Sequence, residues 1–340
     1  MADAPPTSGP RAPGPDLGVD LASIHELDGI AEDHVLNTEL LNAELPDARF
    51  ADASYLHWLY DLNPLGRGYY DNVDDVAEDG TSTRVAHYGL IPQTYRDAHE
   101  TSPFVFSLNA VSRSGNQRRG FFTEIGRKIW GRAQQDGVRV VIGVTNANST
   151  WPVRKAGWRV MGPMPVKFVL PSPFPDRNFT SYDVDDDFLD SDTFDALAEG
   201  LDESPAWHWT NCWTPEYLRW RLAAPNGARF SVHVSDELVA VSSPSSFRGV
   251  PVAVVLKLLP RHGRFGPIDA KPAVTAICHH HRAPFAVYSG HNRHVVVNGV
   301  RVPERFKPVP LNIVMLSLDD AIDQSTFQLD TFEFLDMDAY

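Results

Sequence analysis

Hydrophobic positions fall into two series of strand-like and helix-like runs, separated by a stretch that supports neither. In the first series, Arg84–Pro92 (RVAHYGLIP) and Pro103–Ser112 (PFVFSLNAVS) read as strands. Gly120–Gly137 (GFFTEIGRKIWGRAQQDG) places Phe122, Ile125, Ile129 and Ala133 on one stripe and Arg127, Lys128 and Arg132 largely off it, which predicts an amphipathic helix. Val138–Val144 (VRVVIGV) predicts a buried strand, and Arg159–Leu170 closes the unit. Pro171–Asp192 is proline-rich and then acidic, the pattern of a linker. A second α/β region follows, while residues 1–20, with five prolines before Asp16, read as a disordered leader. The expected organisation is therefore a leader (1–20), an N-terminal α/β domain (21–170), a linker (171–192) and a second α/β domain (193–340).

The two domains echo each other. YLHWLY (Tyr55–Tyr60) returns as YLRWRL (Tyr217–Leu222), an offset of 162, since 217 minus 55 is 162. PVKFVL (Pro165–Leu170) resembles PLNIVM (Pro310–Met315), and VRVVIGV resembles APFAVYS (Ala283–Ser289), both at an offset of 145. Similarities in the same order predict one unit present twice, the second copy shorter by 17 residues (162 minus 145).

The 340 residues suit two cores of ordinary size. No apolar run approaches the roughly 20 residues of a membrane span, so a soluble cytoplasmic protein is expected. Cys212 and Cys278, the only cysteines, argue against disulfides and cysteine-based zinc sites. A net charge of -14 argues against general nucleic-acid binding. His279–His281 invites a metal, but neighbours on a helix point about 100° apart, so no metal is expected there. Arg261–Gly266 (RHGRFG) stands where the second copy would carry an anion loop, without the spacing for one, and Trp207–Trp213 (WHWTNCW) suits an acceptor pocket or plain packing equally well.

One segment departs from the acidic background. Between Arg113 and Arg139 seven basic residues face only Glu124 and Asp136. There a strand runs into Gln117-Arg118-Arg119-Gly120 and then the first turn of a helix, where unpaired N–H groups and the helix dipole favour an anion and glycine admits close approach.

This succession resembles the GCN5-related N-acetyltransferase (GNAT) superfamily, whose acyl-CoA loop reads Q/R-x-x-G-x-G/A. A bacterial branch is closer, with W-x-Y-x-x-N-P-x-G matched by Trp58, Tyr60, Asn63, Pro64 and Gly66, Q-G-x-G-I-F-T matched by Gln117, Gly120, Phe122 and Thr123, and N-x-N-S matched by Asn146, Asn148 and Ser149. The likeness covers about Tyr55–Leu170, and the whole chain loosely resembles the tandem acetyltransferases of the enhanced intracellular survival family. It implies tandem GNAT-like domains, each a mixed, mostly antiparallel twisted sheet flanked by helices, the second degenerate and covering the acceptor pocket.

The resemblance also implies roles. Ala110, Val111, Ser112 and Arg113 would hold the pantetheine arm and polarise the thioester carbonyl; Gln117, Arg118, Arg119, Gly120, Phe121 and Phe122 would hold the pyrophosphate; Asn146 and Asn148 would meet the distal arm. The donor would be acetyl-CoA or another acyl-CoA and the acceptor a small-molecule amine. An acyl carrier protein is the alternative donor, and a non-catalytic acyl-CoA-binding module the alternative from another class. Counting seven residues from Asn146, the slot of the family's general-acid tyrosine holds Val153. His87 and the C-terminal carboxylate of Tyr340 are the candidates for taking the amine proton. Oligomeric state is left open.

Overall fold

The computed structural model describes residues 32–45, 52–117, 119–174, 177–201, 203–263, 266–307 and 311–337. The elements of the first half are α1 (Glu32–Glu44), α2 (Ala53–Asp61), β1 (Tyr69–Val76), β2 (Ser82–Arg96), β3 (Thr101–Ser112), α3 (Phe121–Gln135), β4 (Val140–Thr145), α4 (Ala147–Lys155), β5 (Arg159–Pro163) and β6 (Val166–Val169). Those of the second are β7 (Thr180–Asp183), α5 (Asp186–Leu189), α6 (Asp192–Ala198), β8 (Thr210–Asn211), α7 (Pro215–Leu222), β9 (Ser231–Val234), β10 (Leu238–Phe247), β11 (Val250–Pro260), β12 (Ile268–Asp269), α8 (Lys271–His280), β13 (Ala286–Asn292), β14 (Val295–Val296), β15 (Val300–Arg301), β16 (Asn312–Ser317) and β17 (Thr331–Glu333).

Two mixed sheets result. The first runs β1-β2-β3-β4-β16-β5 with β8 on the end of β2, and the second runs β15-β6-β13-β11-β10-β9-β7 with β17 on β13. In each, two neighbouring strands pair in parallel, β3 with β4 and β11 with β13, and a helix crosses between them, α3 and α8 respectively. The outer faces are closed by α3, which buries Ile125, Ile129 and Ala133, and by α8, which buries Ala273, Val274 and Ile277. Between the sheets lies one shared core that draws Leu56, Trp58 and Phe106 from the first half and Leu218, Trp220 and Val254 from the second.

The halves exchange a strand. β6 leaves the first half to pair antiparallel with β13 (Ala286↔Val169), and β16 returns from the second to lie antiparallel between β4 and β5 (Met315↔Ile142). These are the segments whose sequences match at offset 145, so that similarity marks two strands that trade places. The sheet boundary thus does not fall at residue 170. β7 and α5 occupy the proline-rich and acidic stretch, with β7 at the edge of the second sheet (Thr180↔Val234).

The echo YLHWLY and YLRWRL forms the centre of this pseudo-symmetry. Trp58 on α2 and Trp220 on α7 stack with ring centroids 4.6 Å apart and 18° between planes. Each indole N–H donates to the other's backbone carbonyl, Trp58 Nε1 to Trp220 O at 3.1 Å and Trp220 Nε1 to Trp58 O at 3.2 Å. Trp58→Phe keeps a stacked ring but leaves a buried carbonyl without its donor, an expected loss of about 1–3 kcal/mol in urea unfolding, and Trp220→Phe should match it.

Candidate functional site

β3 and β4 run side by side only from Phe104↔Val140 to Ser107↔Gly143. β3 then continues to Ser112 while β4 ends at Thr145, so the two strands part and, among the described residues, the edge of Leu108–Ser112 that faces β4 has no strand partner. On its other side β3 pairs Leu108↔Gly89 and Val111↔His87, with one residue more on β3 than on β2 between these pairs. This is a β-bulge, and Asn109 within it adopts φ 53°, a left-handed conformation uncommon outside glycine. A bulge interrupts the ladder locally and leaves the extra residue without a partner on β2.

Beyond the opening the chain reaches α3. Its N-cap, Gly120, has φ 89° and gives no side-chain cap, so the first N–H groups of a 15-residue helix face outward unsatisfied by any capping side chain. The loop before it is tied down at Ser114, whose N and Oγ donate to the Glu44 carboxylate at 2.9 and 2.6 Å.

A cleft of about 1520 Å³ runs through the opening. It is lined by Ala110, Val111, Ser112, Gln117, Arg119, Gly120, Phe121, Phe122, Asn146 and Asn148, which the sequence singled out. Arg113 turns away to donate to Arg84 O at 3.2 Å and is not among the lining residues, while Arg118 lies outside the described residues. Asn146 is also a structural cap, since its Oδ1 accepts from the N–H groups of Asn148 and Ser149 at the start of α4.

The cleft has contributors that sequence reasoning did not reach. Tyr55, Asn226, Ala228 and Leu311 form a wall from α2 and the second half, and Trp151, Arg127 and Lys155 lie at the wall formed by α3 and α4. Trp151 is 68% exposed and carries Lys155 over its ring at 5.4 Å. An exposed tryptophan two residues after an N-x-N-S turn was the available signal. The basic run is less free than its composition suggests. Lys128 stands 3.7 Å from Asp71, and Arg139 pairs with Asp319 at 2.6 Å and with Glu100.

His87 lines the cleft but is buried, and burial together with the nearby Arg84 lowers its pKa to about 3. Such an imidazole is neutral and a weak base at physiological pH. Tyr88 is also buried, with its pKa raised to about 12; its hydroxyl meets Ser107 Oγ at 2.9 Å and accepts from Trp130 Nε1 at 3.3 Å. Val153 occupies the cleft wall as a buried apolar side chain. Tyr340 lies outside the described residues.

The second half has the corresponding opening, and its own chain fills it. β11 and β13 pair only from Ala253↔Ala286 to Val255↔Tyr288, and β17 then adds onto Gly290–Asn292. Glu333 and Asp336 follow into the interior and meet buried Lys257 at 3.2 and 2.6 Å. The approach is so close that a Cβ on Gly290 would lie 2.2 Å from Phe332 O. α8 has Ala270 as its N-cap and Pro272 in its first turn, and Ala270 N donates to Val296 O, so the place that Gly120 holds before α3 is taken here by an alanine. Arg261 of the RHGRFG stretch donates to the backbone of Ser235 and Ala196, and Arg264 and Phe265 lie outside the described residues.

The remaining candidates resolve into packing. Trp209 and Trp213 pack in the interior and Trp207 stacks on His294; none of the three lines the cleft. His280 bonds Asp183 at 2.8 Å, and Ser242 Oγ sits between His281 and His233 at 2.7 and 2.8 Å, a hydrogen-bonded cluster under the second sheet. Among the described residues, His34, His57 and Asp61 bring three ligand-type atoms within 4.8 Å of one another. Both imidazoles there bond one oxygen of Asp61, at 2.7 and 2.9 Å, and so clamp α1 to α2.

No protein-family model matches the sequence, and no curated protein matches it. Solved structures do match in fold. A protein from Enterococcus faecalis described as a conserved protein of unknown function and probable N-acyltransferase superposes with a TM-score of 0.55 at 9% identity, over 84% of this chain and 70% of its own. A GCN5-related N-acetyltransferase from Anabaena variabilis superposes at 0.52 and 10% identity, over 88% of this chain and 71% of its own. The chain therefore has the GNAT fold, and its two exchanging sheets make it a tandem version.

Proposed function

We propose that the cleft binds an acyl-CoA and that the protein is an N-acyltransferase, moving an acetyl or other acyl group to a small-molecule amine by direct attack on the thioester. The observation that carries this reading is the conjunction, in one cleft, of a β-bulge at Asn109, the parted edges of β3 and β4, and a glycine-opened helix N-terminus at Gly120. An extended amide arm can pair with the free edge of Leu108–Ser112, as an added strand would. The pyrophosphate then meets the first turn of α3 with Gln117 and Arg119 beside it, and Trp151 offers a face for the adenine, with Lys155 close by for a phosphate.

The arm so placed brings the thioester carbonyl to the bulge, where the Ala110 and Val111 N–H groups meet the oxygen as negative charge develops. The amine enters from the wall of Tyr55, Asn226, Ala228 and Leu311, forms the new C–N bond, and the thiolate leaves along the arm. With His87 held neutral by burial and Val153 unable to donate, the amine proton passes to solvent in the cleft or to a group outside the described residues, Tyr340 among them.

Mass spectrometry of ligand that co-purifies, followed by thiol release from acetyl-CoA across a panel of amines, tests this. Amine-dependent, saturable thiol release is expected. Saturable acetyl-CoA binding with no release would favour the binding module instead, and release only from an acylated carrier protein would change the donor.

A further inference from the structure

Asn109 is a non-glycine residue held in a left-handed conformation at the point where the thioester carbonyl would sit, and a buried chain of hydrogen bonds ends on it. Asn109 Nδ2 donates to Tyr60 Oη at 3.1 Å, and Tyr60 Oη meets His87 Nε2, also at 3.1 Å. His87 Nδ1 faces the Asn72 amide at 2.7 Å. With that amide turned as its surroundings require, its nitrogen donates to His87 and to Asn37 Oδ1 at 2.9 Å, and its oxygen accepts from Arg84 at 3.1 Å. Arg84 is anchored in turn by Asp33 and Asp74, each at 2.6 Å. The chain thus crosses α2, β2, β1 and α1 before reaching the bulge.

We propose that Tyr60 and His87 are positioning residues that hold the Asn109 bulge in the conformation that aims its N–H groups at the acyl carbonyl; this rests on the acyl-CoA reading. Three features favour that role over a place in proton transfer. The Asn72 donor fixes the neutral His87 tautomer with its proton on Nε2, so His87 donates to the Tyr60 oxygen and offers it no base. Burial keeps His87 in that state through the neutral range. And the Tyr60 ring is immobilised, since a Cβ on Gly89 would lie 2.1 Å from its hydroxyl and one on Gly68 would lie 2.5 Å from its ring. A tyrosine with no room to shift and two donors aimed at its oxygen is a fixed post, and Asn109 is tied to it. His87 and Tyr60 then act through the backbone of Ala110 and Val111, although His87 itself borders the cleft.

The binding and infrared measurements that decide the test need no acceptor. Acetyl-CoA carrying ¹³C at the carbonyl is titrated into wild-type protein, and the infrared band of the bound carbonyl is recorded alongside the dissociation constant. The wild type is expected to bind with a carbonyl band shifted to lower frequency than in water. Tyr60→Phe, which removes one hydroxyl, should keep affinity for CoA within about twofold while most of the shift disappears, and turnover with any accepted amine should fall at least about tenfold with KM little changed. Asn109→Gly supplies a variant free of folding strain, because glycine takes a positive φ without strain but cannot reach Tyr60; it should also lose the shift. His87→Gln, which restores a donor, should recover more of it than His87→Ala. A wild-type carbonyl band in both Tyr60→Phe and Asn109→Gly would overturn the assignment. Failure of the wild type to bind acetyl-CoA would overturn the acyl-CoA reading itself.

Discussion

Gly120→Glu is expected to weaken acetyl-CoA binding by about a hundredfold or more, roughly 2.7 kcal/mol, with the protein still folded. The position is suited to so clean an effect. Among the described residues nothing lies within 4 Å of a Cβ built on Gly120, which lines the cleft, so a side chain there meets open space. The carboxylate would stand at the N-terminus of α3, where an anion is itself favoured, and would occupy the site proposed for the pyrophosphate. Repulsion between it and the incoming phosphates adds to the loss. The φ of 89° costs any L-residue about 1–2 kcal/mol, and Gly120→Ala isolates that strain. Calorimetric titration should find Gly120→Ala within a few-fold of wild type and Gly120→Glu beyond measurement at ordinary concentrations. Equal losses in the two variants would place the effect in the backbone rather than in a phosphate site.

The largest effect on stability is expected at Lys257→Met. Lys257, Glu333 and Asp336 are all buried, and Asp336 also accepts from Trp213 Nε1 at 3.0 Å and Asn211 Nδ2 at 3.1 Å. Removing the ammonium leaves buried carboxylates without a cation, a loss of about 3–5 kcal/mol. The pH dependence gives the effect a signature. Burial raises Glu333 to about 7 despite Lys257, so the folded protein holds a proton on it that the unfolded chain releases near 4.5. Its contribution is therefore fully present below that lower value and is lost as pH rises through about 7. Without Lys257 the proton is held more tightly still. Denaturant unfolding of Lys257→Met should show the deficit largest near pH 8 and smaller near pH 5. A deficit independent of pH would mean that the carboxylates are stabilised by something other than the lysine. Acyl-CoA binding should survive at acid pH, because this cluster lies in the filled opening of the second half and not in the cleft.

Much of the architecture was legible because it is written in periodicity. The stripe of Phe122, Ile125, Ile129 and Ala133 found its sheet, and the echoed Trp58 and Trp220 were recognisable as equivalents because both face one interior. The strand exchange was not legible. PVKFVL and PLNIVM carry the same apolar pattern, and pattern alone suits either strand to either sheet; tertiary pairing decides. The bulge was hidden for a related reason: Asn109 within an apolar run is a weak mark, and only the register with β2 shows the extra residue. His87 read as a plausible base because an isolated histidine has a suitable pKa, while its burial depends on α1 and α2, elements distant in sequence. His279–His281 drew notice only as a metal candidate, yet two of the three are tied to Asp183, Ser231, Ser242 and His233 by contacts no local pattern announces.

One opening is proposed to bind an acyl-CoA, and the other is filled by its own chain. Hydrogen exchange read by mass spectrometry, with and without saturating acetyl-CoA, tests this most directly. Protection is expected over residues 108–112 and 119–125, with none over 256–263 or 289–293. Protection confined to the second pair of segments, or none anywhere, would contradict it.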